Sequence, residues 1–536
     1  MRDPALAFAC APHLCAPRQE PQARGRIDEA NPLSLACKEM LRLSYLLALD
    51  QGTHASRAVV YDLRGVPVAQ AARALASRYP APGFVEQDAD EIFSTQVEAA
   101  RTAIAAAGIN AAAIAAIGIA NQRETTVVWD ARTGKPRAPA IVWQCRRSAG
   151  ICAEMRAGGT EPYLRARTGL LLDPCFSATK LAWLLRSDPD LGRDARLGQL
   201  RFGTVDSWLL YRLTGGRVHA TDPSNASRTL LMDLSRPEFD EDLCRLFDIP
   251  PAMLGAVRPS AGHFGTADAA LFGAPVPVTG VLGDQQAALF GQRCFHPGDV
   301  KTTYGTGAFL LAQAGENLPS IPDGLIATAA WDLGTGLRYA LEGSVFLAGG
   351  LLEWMQAELG LVASPAEAEA LARSVPDAGG VLVVPAHSGL GAPHWDAGAR
   401  GAVLGLSRGS TKAHVARAAF DAIAHRTDDV LQAMARGAGG LSELNIDGGA
   451  ARSDLLAQLQ ADLSGLPVVR PQDIETTARG AALVAGLGAG VFAGTDEIEA
   501  LPVSEERFLP RIGEAERSRL RERWQQALDA VRRVRA

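Results

Sequence analysis

Three short stretches place residues able to hold an anion. DQGT (residues 50–53), YGTG (304–307) and DGGA (447–450) each set glycine beside an aspartate or a threonine, directly after an apolar run. Glycine lets the backbone approach a ligand closely and take φ above zero, so that successive N–H groups converge, and threonine adds a hydroxyl donor. That combination suits phosphate. A single DQGT is equally an ordinary hairpin turn, and it is the recurrence that favours the phosphate reading. The commoner phosphate signatures are missing: the one Gly-Lys pair, Gly134 and Lys135, runs into Pro136, and there is no GxGxxG. Residues 405–409, GLSRG, fit the nucleophile elbow of a serine hydrolase, with an apolar run before and a helix-like stretch after. That chemistry needs a histidine far downstream, yet after Ser407 the chain has only His414 and His425, both in the next helical stretch. Ser407 therefore reads as a turn residue.

The elements that must position the three turns are strands. From residue 43, LSYLLALD is a buried-strand run; SRAVVYDLRG and VPVAQAARAL continue as strands around a turn at Arg64 and Gly65. A helix, ADEIFSTQVEAARTAIAAAG, and another buried strand, IAAIGIAN, follow. DVKTTYGTGAFLLAQ and GLRYALEGSVFLAGGLLEWMQAELG repeat the pattern later in the chain. The repetition predicts an α/β protein of two related domains, 41–293 and 294–536, with GDQQAALFGQRCFHPGD at the join and a ligand held by both turns in the cleft between them. Residues 1–40 are rich in Pro, Ala and Arg and lack periodicity or the apolar core of a secretory signal, so they read as a disordered extension, with Met40 an alternative start.

Composition narrows the partners. At 536 residues and 47% hydrophobic content the chain can bury two large cores. A net charge of −6 with dispersed cations argues against nucleic acid, whose phosphates are held by clustered Lys and Arg. Eight cysteines without a CxxC pair read as reduced thiols of a cytoplasmic protein, and no run is long enough to span a membrane.

DQGT, NQRETT (121–126), IVWQCRR (141–147), FGTVDSWLLYRLTGG (202–216), NASRT (225–229), GDQQAALFGQ (283–292), TYGTG (303–307), LEGSVF (341–346), GLGAP (389–393), WDAGARGAVLGL (395–406) and IDGGA (446–450) together resemble the FGGY carbohydrate kinases, and within them the branch that phosphorylates glycerol. The match runs in order from residue 45 to about 510. The resemblance implies two ribonuclease-H-like domains of the actin and hexokinase type, with the active site in their cleft, and glycerol, ATP and Mg²⁺ as ligands. It implies Asp284 as the base, with Arg123, Glu124, Trp143, Cys175, Gln285 and Phe309 around the polyol. Thr53, His54, Ala55, Arg57, Thr306, Gly349, Glu353, Ala450 and Asp454 fall on nucleotide positions, Asp50 on the carboxylate that organises Mg²⁺ through water, and Asp447 beside it or on ATP.

These roles have chemical sense. Arg offers donors only and Glu acceptors only, so together they fix a diol; a carboxylate takes the hydroxyl proton. The competing readings are an Arg123–Glu124 ion pair, a helix-capping Asp284, and core aromatics. The chain departs from the family pattern at His54 and Ala55, where hydroxyl residues are usual, at Glu353 for Gln and Asp454 for Asn, both adding negative charge near the nucleotide, and at Cys175 for a tyrosine touching glycerol. A kinase for another polyol or sugar, and a noncatalytic nucleotide-binding regulator, stand as alternatives. The loop histidine phosphorylated in some members is replaced by Ala270, and the glycine and arginine loop that binds fructose bisphosphate in others has no counterpart. The basic C-terminal helix is either a solvated face or the interface of a homo-oligomer.

Overall fold

The computed structural model describes residues 45–533; the expectation for residues 1–40 lies outside them. Within the described residues, two sheets share one strand order. Tyr45–Gln51 pairs antiparallel with Ala55–Asp62, which pairs antiparallel with Pro67–Ala74 at the edge. On its other side Tyr45–Gln51 lies parallel to Ile114–Asn121, which lies parallel to Val276–Gly283, and Ala261–Ala267 closes that edge antiparallel. The strands whose residues read as continuous apolar runs are the central ones. Leu46, Leu47, Ala48 and Leu49 are all buried, whereas the edge strand Pro67–Ala74 keeps alternate residues in solvent.

The second sheet repeats this plan with an added outer strand. Asp299–Tyr304 pairs antiparallel with Ala308–Gly315, and that strand with Leu337–Val345. Asp299–Tyr304 is also parallel to Glu443–Asp447, then come parallel Val468–Pro471 and antiparallel Glu505–Phe508, while Ile326–Asp332 lies outside Leu337–Val345. In both sheets the first hairpin is closed by a Gly-Thr turn, so both turns sit at carboxyl ends of central parallel strands, where ligands of open α/β sheets bind.

Helices cover both sheets. Ala89–Ala106, capped by Asp88, which accepts the N–H groups of Asp90 and Glu91, packs one face of the first sheet. Lys412–Ala438 lays Phe420, Ile423, Val430 and Met434 into the core of the second. Glu514–Arg533 turns Trp524, Leu528 and Val531 inward, with the Trp524 ring stacked on His425, so the apolar side of the basic C-terminal helix is used within the chain.

One element crosses the sequence division near residue 293. Thr476–Gly488 covers the first sheet, not the second. Small residues make this possible: a Cβ at Gly118 would lie 1.9 Å from the Ala481 carbonyl oxygen, and one at Gly480 1.8 Å from that of Ala287 in the helix Asp284–Gly291. Gly291 would likewise meet Thr476 at 2.0 Å. Backbone therefore rests directly on backbone. Among the described residues, no helix is long and apolar enough to cross a membrane.

Candidate active site

The first turn is closed by the Gly52 N–H, which donates to the Ala55 carbonyl at 3.0 Å. Gln87 donates to the Thr53 carbonyl at 2.6 Å, and the Trp143 indole N–H donates to the Thr53 hydroxyl at 2.9 Å. That hydroxyl keeps its own proton to give, because it accepts from the indole. His54 is exposed, Ala55 pairs with Ala74 in the sheet, and Arg57 forms an ion pair with Glu475 at the start of the helix Thr476–Gly488.

At the second turn three loops meet. The N–H groups of Ala348 and Gly350 donate to the Thr306 carbonyl at 2.7 and 3.1 Å, and that of Gly349 donates to the Gly305 carbonyl at 3.0 Å, tying the start of the helix Gly349–Ala357 to the turn. A Cβ at Gly349 would stand 2.6 Å from the Gly305 oxygen and 3.4 Å from the Ala450 Cβ. Gly448, at φ 87°, lies against the Tyr304 backbone. Thr306, Gly349 and Ala450 are thus brought together. Glu353 and Asp454 are exposed, and Asp454 meets Arg470 at 2.6 Å. The negative charge expected of Asp454 is therefore offset in part by a guanidinium that is anchored on the Ala451 carbonyl and shared with Glu506.

Beside these turns lies a cluster of opposite charges, all but one of them buried. Arg123 follows the strand Ile114–Asn121, and Glu124, at φ 63°, turns the chain sharply after it. Both terminal nitrogens of Arg123 donate to Glu342, at 2.7 and 2.9 Å, and its Nε stands 3.2 Å from Asp284 Oδ1 but 3.9 Å from Glu124. Arg228 donates to Glu124 at 2.6 Å and to both oxygens of Glu342 at 3.2 and 3.1 Å. Each residue of the Arg123–Glu124 pair is therefore held chiefly by a third and a fourth group. Burial raises the Glu342 carboxyl, but the two arginines outweigh it and hold the group down at about 2.

Asp284 opens the helix Asp284–Gly291 and accepts the adjacent Gln285 N–H at 2.7 Å, but the cap position is Gly283 and no side chain caps this helix. The Asp284 side chain is 30% exposed, enough to meet a substrate. Desolvation pushes its pKa above the usual carboxylate value, Arg123 opposes that shift, and Glu124 adds to it. Gln285 accepts from the Lys301 ammonium, which also donates to Thr303 at 2.9 Å. Burial brings Lys301 down to about 8, against the pull of Asp447 and Asp284. Trp143 and Phe309 are half-buried, and Phe309 stands across from Thr303 in the sheet. Cys175 is half-buried; its N–H donates to Asp173 at 2.8 Å, its carbonyl accepts from Lys180, and burial pushes its thiol up to about 12, leaving it neutral.

Two carboxylates have oxygens free for a hydrated cation. Asp50 is raised by burial to about 6 with Arg57 opposing, and Asp447 gives one oxygen to Gln292 at 2.5 Å and to Thr476 while its Oδ1 has no partner. No cluster of three or more His, Cys, Asp or Glu is placed to hold a metal among the described residues. The pair suits Mg²⁺, which keeps several waters and shares phosphate oxygens, better than a cation that wants a full protein cage. Ser407 faces only Ser410, at 3.3 Å, and the His414 ring faces Thr411, which removes the hydrolase reading.

Arg228, Glu342 and Lys301 carry no role in the sequence reading. The first two stand inside NASRT and LEGSVF, but their partners lie 104 and 219 residues away, a distance that composition and periodicity do not bridge.

The model described as the N-terminal domain of the FGGY family of carbohydrate kinases matches residues 45–291, and that of the C-terminal domain matches 300–489. A glycerol kinase of Leptothrix cholodnii is 53% identical over 491 residues, covering 91% of this chain and 99% of the relative. One from Thermus brockianus is 54% identical with the same coverage. Among solved structures, Plasmodium falciparum glycerol kinase with ADP superposes with a TM-score of 0.87 at 30% identity, covering 91% of this chain and 98% of that one. A gluconate kinase from Lactobacillus acidophilus, at TM-score 0.83 and 21% identity, shares the fold.

Proposed function

The chain belongs to the FGGY family of carbohydrate kinases, and from that premise we propose that it transfers the γ-phosphoryl group of ATP to a terminal hydroxyl of glycerol, giving sn-glycerol 3-phosphate and ADP. The observation that carries this reading is the Asp284 carboxylate, part-exposed at the carboxyl end of the strand Val276–Gly283 and 3.2 Å from Arg123. Asp284 takes the proton of the attacking hydroxyl as its oxygen bonds to the γ-phosphorus, and the bond from that phosphorus to the bridging oxygen of ADP breaks. Arg123 donates to, and Glu124 accepts from, adjacent hydroxyls; Gln285, fixed by Lys301, faces the same substrate, and Trp143 and Phe309 wall its carbons and exclude water. Thr53 and Thr306, with the N–H groups of their turns, receive the phosphates, and Gly349 and Ala450 allow the nucleotide close approach. Asp50 and Asp447 would hold a hydrated Mg²⁺, which would supply neutralisation of the phosphate charge.

We place the reaction in the cytoplasm, where ATP is the substrate at hand and free thiols such as Cys145, Cys152, Cys175, Cys244 and Cys294 persist. Cys175 supports a second reading, a somewhat longer polyol as acceptor, since a thiol is smaller than the family's phenol. Coupled ADP release across polyols of three to five carbons, with phosphorus NMR of the product, tests both. Turnover of glycerol above all others is the expected result, and selectivity for a longer polyol would replace glycerol as the substrate.

A further inference from the structure

The polyol grip is built from one half of the chain and anchored from the other. Arg123, Glu124 and Arg228 come from the first half of the chain, Arg228 on a segment that also meets the second sheet where Ser227 bonds to Thr328 at 2.9 Å, while Glu342 lies on the strand Leu337–Val345 of that sheet. Glu342 is 1% exposed and takes four N–H donors, two from each arginine. Charge-assisted fork contacts of this sort fix the plane of a guanidinium as well as its place. Each terminal nitrogen of Arg123 gives one N–H to Glu342, one of them also reaches Gln286 at 3.3 Å, and its Nε is the edge facing Asp284. Arg228, held by the same carboxylate, presses its own Nε on Glu124 and stacks over Phe176. Among the described residues, no other carboxylate takes both terminal nitrogens of either arginine: Arg123 meets Asp284 and Glu124, and Arg228 meets Glu124, through Nε.

We propose that Glu342 is a positioning residue for the acceptor site, orienting Arg123 directly and Glu124 through Arg228, so that the polyol is gripped only when the strand Leu337–Val345 of the second sheet is seated against the first half. Glu342 touches neither the substrate nor the reacting atoms. It acts by deciding which edge of Arg123 is presented and by fixing the Glu124 oxygen left for a hydroxyl. The proposal rests on Arg123 and Glu124 binding the polyol, the reading given above.

The test compares Glu342→Gln with the charge-balanced pair Glu342→Gln and Arg228→Met, since removing one partner of a buried ion cluster alone leaves an uncompensated charge and can prevent folding. Steady-state kinetics with glycerol, calorimetric binding of ADP and thermal melts are measured on each. The grip is made in the ground state and the transition state alike, so the KM for glycerol is expected to rise roughly tenfold or more while kcat falls by less than about threefold. ADP affinity should stay within about twofold. Glu342→Asp, which keeps the charge, should recover part of the loss. Glycerol kinetics unchanged in the charge-balanced pair, or a raised KM accompanied by equal losses of kcat and ADP affinity, would overturn the proposal in favour of a core ion cluster. Arg123→Met separates the two levels: if it leaves the glycerol KM unchanged, the reading of the acceptor site fails; if it raises KM while both Glu342 variants do not, only the role of Glu342 fails.

Discussion

Gly349→Ala offers a test of the nucleotide side whose size can be worked from the geometry. The added methyl would lie 2.6 Å from the Gly305 carbonyl oxygen, roughly 0.9 Å inside the ~3.5 Å optimum for non-bonded heavy atoms. Either the helix start or the 304–307 turn has to give way. The turn is the softer choice, since Gly305 and Thr306 are exposed, whereas Gly350 and Leu351 behind the helix start are buried. Moving the turn strains three hydrogen bonds, those of the Ala348, Gly349 and Gly350 N–H groups, and displaces Thr306 from the phosphate path. Overpacking of this kind costs about 1–3 kcal/mol. The free protein relieves most of it by letting the turn swing, and the nucleotide complex does not, so the cost appears in binding as roughly a 5- to 150-fold loss of ADP affinity. Calorimetric titration with ADP reads this directly, with a thermal melt confirming the fold and the glycerol KM expected to change little. An ADP affinity within twofold of the parent at an unchanged melting temperature would refute the placement of this loop on the nucleotide.

Three further outcomes are expected. Asp284→Asn should lower kcat by about 10²–10⁴ while leaving ADP binding intact; near-normal turnover would remove the proposed base. The acid limb of kcat/KM should lie above the ordinary Asp value of about 3.9, because desolvation raises Asp284 and it must be ionised to work, so activity is lost as pH falls through the raised value. Arg123 is the group holding Asp284 down, and Arg123→Met should move that limb to still higher pH; a profile flat down to pH ~4 would contradict the assignment. Cys175→Tyr should lower the glycerol KM by roughly two- to twelvefold, the worth of one neutral hydrogen bond, and reduce turnover of four- and five-carbon polyols. The backbone at Cys175 is pinned through Asp173 and Lys180, so the loop should keep its path, and unchanged kinetics would make the position one of packing only.

What the sequence disclosed was local. The turn at Arg64 and Gly65, the helix expected over ADEIFSTQVEAARTAIAAAG and found at Ala89–Ala106, and the hairpins around Gly52 and Gly305 follow from periodicity and turn chemistry acting over a few residues. The grouping of Thr306, Gly349 and Ala450 came through motif resemblance and is realised as contacts between loops. Three things were not legible. The arginine and carboxylate cluster depends on Glu342 meeting residues more than a hundred positions away. The return of residues 476–488 to the first sheet is hidden in TTARGAALVAGLG, whose alanines and glycines read as a bland helix until the opposing glycines 118 and 291 are seen. The pairing of Asp454 with Arg470, which Glu506 shares, weakens the charge argument made from Asp454 alone.

The glycine-lined meeting of the helices Asp284–Gly291 and Thr476–Gly488 has a mechanical side. Helices that pack through side chains are locked by ridges seated in grooves; here backbone touches backbone at Gly291 and Gly480. Both helices stand on the first sheet, one leading from the strand Val276–Gly283 and the other lying over Gly118 of the strand Ile114–Asn121, so the contact ties the far end of the sequence to the half that carries Asp284. The expected consequence is stiffness under Asp284. A methyl at Gly480 would meet the Ala287 carbonyl oxygen and push the helix Asp284–Gly291 off its seat, so Gly480→Ala should lower the melting temperature and kcat together, and an unchanged melting temperature would deny the contact that part.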